Sequence, residues 1–131
     1  MEGYILNDRF RKFLGVNVLE FKPGFAKVEG IVREEFTNFH GSAHGGFLIS
    51  LADFALGLAA NADGVKRFAI SIDMDFIAPA FVGDKLVAEA KLVGGGKRIS
   101  FYEIKILRGD EIIANGRAVV YSRGERIKSN D

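Results

Sequence analysis

The chain has 131 residues, 48% of them apolar and 27% charged, with 16 Gly, 2 Pro and no Cys. That length and mixture describe a single compact domain with a core of its own. Eighteen Lys and Arg against 17 Asp and Glu leave a formal charge of +1, without a long basic run. This balance argues against a nucleic-acid binder, which depends on neutralising phosphates. The absence of Cys excludes a disulfide scaffold, a thiol nucleophile and a Cys-built zinc or iron–sulfur site.

The opening Met1-Glu2-Gly3-Tyr4 lacks the basic start and apolar run of a secretion signal. The most apolar stretch, Phe47 to Ala60, contains Asp53 and falls short of the roughly 18 residues a membrane span needs. The expectation is a soluble, cytoplasmic protein with neither membrane nor nucleic-acid partner.

In chain order, a short helix is expected first, capped by Asn7 or Asp8 and carrying Phe10, Phe13 and Leu14. Two strand runs follow, Asn17–Phe21 and Ala26–Val32, joined across the turn-forming Lys22-Pro23-Gly24. A long helix is expected over Ala43–Ala62, apolar almost all round, as suits a helix covered by a sheet. At about 100° per residue, Phe47, Leu48, Leu51, Ala55, Leu58 and Ala62 share one face. Gly46, Ser50, Asp53, Gly57 and Asn61 share the opposite face, which is small and polar. Small residues admit a second backbone closely, and a polar stripe on such a helix calls for a partner or a ligand.

Phe68, Ile70, Ile72, Met74 and Phe76 then alternate with Ala69, Ser71, Asp73 and Asp75, the period of a strand. Leu86, Ala88, Ala90 and Leu92 alternate in the same way. Runs at Arg98–Leu107 and Glu111–Tyr121 follow. Gly83-Asp84, Gly94-Gly95-Gly96 and Gly109-Asp110 punctuate them, so this half reads as an antiparallel meander. Ser122 to Asp131 lacks an apolar pattern and reads as a frayed polar tail. The fold class that follows is α+β: a curved antiparallel sheet of about five to six strands wrapped around one central helix, the hotdog arrangement.

Several residues could carry chemistry. Asp53 stands on an apolar helix, where burying an unpaired carboxylate costs several kcal/mol. It is therefore a helix-edge residue in solvent, a cap for a neighbouring backbone, or a reactive group. Asn38 to Gly46 is a polar, glycine-punctuated stretch running straight into the helix. The first turn of a helix leaves N–H groups unpaired at the positive end of the macrodipole. Gly45 and Gly46 leave those groups open, which is what an oxyanion hole requires, although the same glycines suit a tightly packed N-cap.

His44 could fix this loop through the backbone or aim Nε2 at a substrate, with its place at the helix start favouring a neutral imidazole. Asn38 could orient a water or a carbonyl, or make the Asx turn common in loops. His40 and His44 have i, i+4 spacing, but no third ligand stands nearby and no metal is expected. Gly94-Gly95-Gly96-Lys97-Arg98 lacks the pattern of a phosphate-binding loop before a helix. It is either a hairpin turn or a basic rim for phosphates. Arg108-Gly109-Asp110 reads as a hairpin turn.

These residues together resemble the hotdog-fold acyl-CoA thioesterases of the phenylacetic-acid-degradation type. The matching pattern is Asn38-x-x-Gly41-x-x-His44-Gly45-Gly46, then Leu51-Ala52-Asp53 inside the helix. It continues as Ser71-Ile72-Asp73-Met74, Pro79 with Gly83-Asp84, and Gly96-Lys97. The likeness covers most of Gly24 to Tyr121, and residues 1–23 match loosely and are expected to help shape an acyl pocket.

The resemblance implies hydrolysis of an aromatic or medium-chain acyl-CoA, with no cofactor beyond the coenzyme A of the substrate. It implies Asp53 as general base or nucleophile and the Gly45 N–H as the donor that polarises the thioester carbonyl. His44 supports that donor, Asn38 orients substrate or water, and Ser71 helps hold the attacking water. Gly46, Lys97 and Arg98 fall to substrate binding, Lys97 where coenzyme A phosphates are often met. Alternatives on the same fold are an acyl-thioester hydratase or dehydratase and a non-catalytic acyl-CoA-binding protein.

Gly45 and Asp53 lie about 12 Å apart along the expected helix, too far to serve one carbonyl. The site is therefore expected to be shared between two copies of the chain. The further expectation is a dimer of dimers.

Overall fold

The computed structural model describes residues 2–128. The elements are α1 (Glu2–Leu6), α2 (Arg9–Phe13), β1 (Asn17–Lys22), β2 (Phe25–Ile31), a 3₁₀ turn (Glu34–Phe36), α3 (Gly45–Asn61), β3 (Phe68–Phe76), β4 (Lys85–Gly95), β5 (Ile99–Arg108) and β6 (Glu111–Tyr121). The strands form one antiparallel sheet in the order β1-β2-β4-β5-β6-β3. Gly109 and Asp110 make the β5–β6 turn, with Gly109 at a φ of +60°.

The expected meander holds only for β4, β5 and β6. The chain leaves β2, crosses the concave face of the sheet as α3, and returns as β3 at the far edge beside β6, while β4 pairs with β2. A helix needs room to lie in a sheet, and small inward residues supply it. Ala26, Ala88, Ala90, Ala114 and Ala118 are all buried under α3. At Gly30 a Cβ would stand 2.9 Å from Leu51 Cδ2 and 3.3 Å from Phe47 Cζ. Leu51 and Leu56 fill the centre opposite Leu86, Ile104 and Ile106, each burial contributing about 2 kcal/mol.

The helix is shorter than expected. Ala43 bridges Thr37 and donates its N–H to Ala80 O at 2.7 Å, so the backbone is still extended there. Helical structure begins at Gly45 and ends at Asn61, with Ala62 as the C-cap. Gly64, at a φ of +86°, donates to Asn61 O and turns the chain away. The expected apolar face is buried, and so are Ala52, Phe54, Leu56, Ala59 and Ala60. Gly46, Asp53 and Gly57 are exposed, with Ser50 and Asn61 half-buried, so the small polar stripe faces outward.

Two further expectations are corrected. Alternation along β3 is broken by a bulge between Ala69 and Ser71, and Phe68, Ile70 and Phe76 are 51–60% exposed. The cause is position: β3 is an edge strand, and the single chain covers only one of its sides. The segment after β6 is anchored up to Ile127. Ser122 is buried with its hydroxyl donating to Lys66 O, Glu125 O accepts from Lys66 N, and the buried Ile127 donates to Gly64 O. Residues 129–131 of the expected tail lie outside the described residues, as does Met1 of the opening segment.

At the N-terminus, the helix expected around Phe10 is α2, and Asp8 is its cap, accepting the Arg11 N–H on Oδ1 at 3.2 Å. No cap signal marked α1, which is held by packing of Ile5 and Leu6 against the core. Among the described residues no helix is long and apolar enough to cross a membrane.

Candidate active site

The loop before α3 is tied down on both sides. His44 N donates to Phe36 O and Ala43 N to Ala80 O, both at 2.7 Å, while Phe36 stacks on Phe47 at 4.6 Å. Asn38 makes the Asx-type turn. Its Oδ1 accepts from His40 N and Ser42 N, and its Nδ2 donates to Ser42 Oγ at 3.1 Å. Its side chain holds the loop that leads into the helix. His40 lies on that loop with its ring 4.2 Å from Phe39, which is 94% exposed.

His44 is the N-cap. Its Nδ1 accepts the Gly46 N–H at 2.9 Å, leaving Nε2 as the donor of the neutral ring. Its carbonyl takes the N–H groups of Phe47 and Leu48. Of the four first-turn N–H groups, three are thereby occupied, and Gly45 N–H has no partner among the described residues. The space beside Gly45 is bounded by Phe76, whose ring carbons lie 3.5 Å from where a Cβ would stand. An unoccupied N–H at the positive end of a 17-residue helix, beside an exposed apolar ring, suits a carbonyl oxygen gaining negative charge.

Asp53 lies two turns further along α3, on the wall of a cavity of about 470 Å³. Phe54, Leu58 and Phe68 give this cavity apolar walls, and α1 and α2 close one side with Tyr4, Ile5, Asp8 and Arg11. Asp53 is exposed in the single chain, yet the surrounding protein removes enough water to push its carboxyl above the ordinary range. The negative charge of Asp8 adds to the rise. A carboxylate with raised proton affinity on a cavity of mixed polar and apolar lining is a competent base for a water.

The structure does not bring all the expected residues together within one chain. His44 and Gly46 border a separate groove of about 350 Å³ that shares no lining residue with the Asp53 cavity. Ser71 is exposed on β3, opposite Val119 in register, and lines neither. Lys97 and Arg98 are exposed on the β4–β5 hairpin, where Gly95 takes a φ of +109°. The glycines of that hairpin share a cavity with Ala59 and Asp63, which places it near the end of α3 away from Gly45. Sequence reasoning missed Phe76 as the wall beside Gly45. It also missed Asp8 as a charge facing Asp53, although the capping signal at Asp8 was visible.

A single central helix laid in a curved antiparallel sheet, with an open helix start and a carboxylate midway along it, defines a hotdog thioesterase domain. Residues 40–114 match the family model described as the thioesterase superfamily. The chain belongs to that family and is a thioester hydrolase. It is 40% identical to the acyl-coenzyme A thioesterase PaaI of Escherichia coli over 101 residues, 77% of this chain and 72% of that protein. The solved structure of E. coli PaaI, from the phenylacetic acid degradation operon, superposes with a TM-score of 0.91 over 97% of this chain and 93% of that one. The TT0310 protein of Thermus thermophilus superposes with a TM-score of 0.85 at 37% identity, over 88% of this chain and 98% of that chain.

Proposed function

We propose that the protein is an acyl-CoA thioesterase that hydrolyses the thioester of an aromatic or medium-chain acyl-CoA to the free acid and coenzyme A. The observation that carries this reading is the unoccupied Gly45 N–H at the start of a helix that also bears Asp53. The thioester oxygen accepts from Gly45 N–H, and Asp53 takes a proton from water as the water oxygen bonds to the carbonyl carbon. The tetrahedral intermediate collapses, the carbon–sulfur bond breaks, and the thiolate leaves and is protonated. A thioester is already reactive, so a positioned water, a base and an oxyanion donor suffice, with no metal or added cofactor.

His44 supports the donor by fixing Gly46 and leaves Nε2 available to substrate. Asn38 acts by shaping the loop, and Ser71 steadies the water. Gly46 leaves the mouth open for substrate, and Lys97 and Arg98 offer charge to the coenzyme A phosphates. The name of the E. coli relative, an acyl-coenzyme A thioesterase, supports the substrate class. The apolar walls beside Asp53 suit an aromatic or medium-length acyl group.

The working unit is a dimer with shared sites. Supporting it are the outward stripe of Gly46, Ser50, Asp53 and Gly57, the uncovered edge of β3, and the 51–59% exposure of Phe76, Ile77, Phe81 and Val82. Exposed Val93 and Phe101 on the outer face of the sheet offer a second surface for a dimer of dimers. The enzyme is read as cytoplasmic.

The test is a panel of aromatic, short-chain, medium-chain and long-chain acyl-CoAs incubated with the pure protein while free thiol is followed. Thiol release, greatest for aromatic or medium chains, is expected. Water addition without thiol would turn the reading to a hydratase, and binding without turnover to an acyl-CoA-binding protein.

A further inference from the structure

The N-terminal helices face the carboxylate that the proposed reaction uses. α1 and α2 form one wall of the Asp53 cavity, and α2 is docked there by Phe10, whose ring meets Phe54 edge-on at 5.6 Å. Phe54 is the residue next to Asp53, so this contact fixes where α2 sits relative to the carboxylate. Asp8 is held in turn, because its Oδ1 caps α2 through the Arg11 N–H at 3.2 Å.

We propose that Asp8 is a positioning residue for the reaction at Asp53: the negative charge that α2 holds across the cavity makes Asp53 a stronger base. The inference rests on the reading of Asp53 as the reacting carboxylate. Two fixed carboxylates on one cavity repel, and the repulsion raises the proton affinity of Asp53. Its carboxyl is raised first by desolvation and then by the charge of Asp8.

Of the charged groups on this cavity, Asp8 is the one whose charge moves the Asp53 carboxyl. The Arg11 guanidinium donates to Val16 O and Leu6 O, turned to the backbone. Arg67 is engaged by Asp63 Oδ1 at 2.6 Å and Ala60 O at 2.7 Å. Tyr4 lines the same wall and carries no charge at neutral pH. The arrangement gives the first two helices, which match the family only loosely, a role in tuning the reacting carboxylate. They bring a negative charge to a carboxyl already raised by the loss of water.

Asp8→Asn separates this role from capping, since Asn caps a helix as well as Asp and only the charge is lost. The Asp53 carboxyl is titrated by carbon NMR in the wild type and in Asp8→Asn, and kcat/KM is measured against pH for both. The Asp53 midpoint should fall in Asp8→Asn. The acidic limb of kcat/KM should move with it, raising the rate about threefold below the limb and lowering the plateau less than twofold, as befits a weaker base. Raising salt should move the wild-type limb in the same direction and the variant's much less.

An unmoved Asp53 midpoint in a folded Asp8→Asn protein overturns the proposal alone, provided Asp53→Asn abolishes turnover. A midpoint that falls while the limb stays, or an active Asp53→Asn, overturns the reading of Asp53 and the proposal with it.

Discussion

Because its carboxyl is held above the ordinary range, Asp53 binds its proton more tightly in the folded chain than in the unfolded one. From the unfolded value of 3.8 up to the raised folded value, the native state carries more proton, and stability falls as pH rises through that window. Above it the ionised carboxylate is a constant cost to the fold. Asp53→Asn keeps the shape and removes that charge. It should melt at or above the wild-type temperature at pH 7, with the advantage shrinking as pH falls toward 3.8. Turnover should drop by at least about two orders of magnitude, the scale of a lost acid–base group. Thermal melts across pH beside a thiol-release assay check both; an Asn variant that turns over normally, or melts well below wild type, would return Asp53 to a structural role. Asp84 has the opposite sign. Its carboxyl is held low by the Phe81 N–H and by Arg108, so its stabilisation is present above 3.8 and lost as pH falls through the lower folded value. The residues of the proposed site were placed in the fold as expected where spacing alone carries them. His44, Gly45 and Asp53 need only one helix and its start. Asn38 left two readings open because an Asx turn and a substrate contact use the same amide. The facing of Asp8 and Asp53 depends on how a remote segment docks, and no local pattern encodes that.

The strands were legible as spans because alternation and glycine turns are local. β3 was expected over Phe68–Phe76 and β6 over Glu111–Tyr121, and both hold. Their order was not legible, because it depends on where α3 carries the chain, which is a matter of packing. The same packing explains why alternation failed on β3, an edge strand with a bulge that has to meet the sheet on one side only. Its hold on β6 is sharply defined at Gly116, which pairs with Met74. A Cβ at Gly116 would stand 2.8 Å from Met74 Cα and 2.7 Å from Met74 Sδ, and closer still to the Asp73 carbonyl. Backbone cannot yield there without opening the ladder. Gly116→Ala should therefore destabilise by about 1–3 kcal/mol and shift β3 with its Ser71 and Phe76. Denaturant unfolding gives the energy. Amide exchange should speed up along 68–76 while the β4–β5 pairing stays protected, and unchanged exchange at β3 would show that the ladder absorbs the methyl.

At the scale of the whole molecule, one chain carries the residues of the proposed site without bringing them together. Gly45 and Asp53 stand eight residues apart on α3, about 12 Å along the axis and about 80° around it. A base and an oxyanion donor must both lie within roughly 3 Å of the reacting atoms. The groove at His44 and Gly46 shares no lining residue with the Asp53 cavity, and the Lys97 hairpin lies toward the opposite end of the helix. Two helices packed antiparallel across a two-fold axis bring the start of one beside the middle of the other, and the small outward stripe allows the approach. Asp53 of one copy should then work with Gly45 of the second. Gly45→Pro is suited to test this. Gly45 is the first helical residue, where proline is well tolerated, and His44 already has the extended ψ of 138° that a following proline requires. The substitution removes the N–H with little strain on the helix. Inactive Asp53→Asn and inactive Gly45→Pro proteins, each shown to fold, are mixed under conditions that exchange subunits. Each mixed dimer carries one site with both defects and one with neither. Random equal exchange should therefore recover up to about a quarter of wild-type activity if the sites are independent. Proven exchange with no recovery would place base and donor in one chain, and a fully active monomer would exclude the shared site.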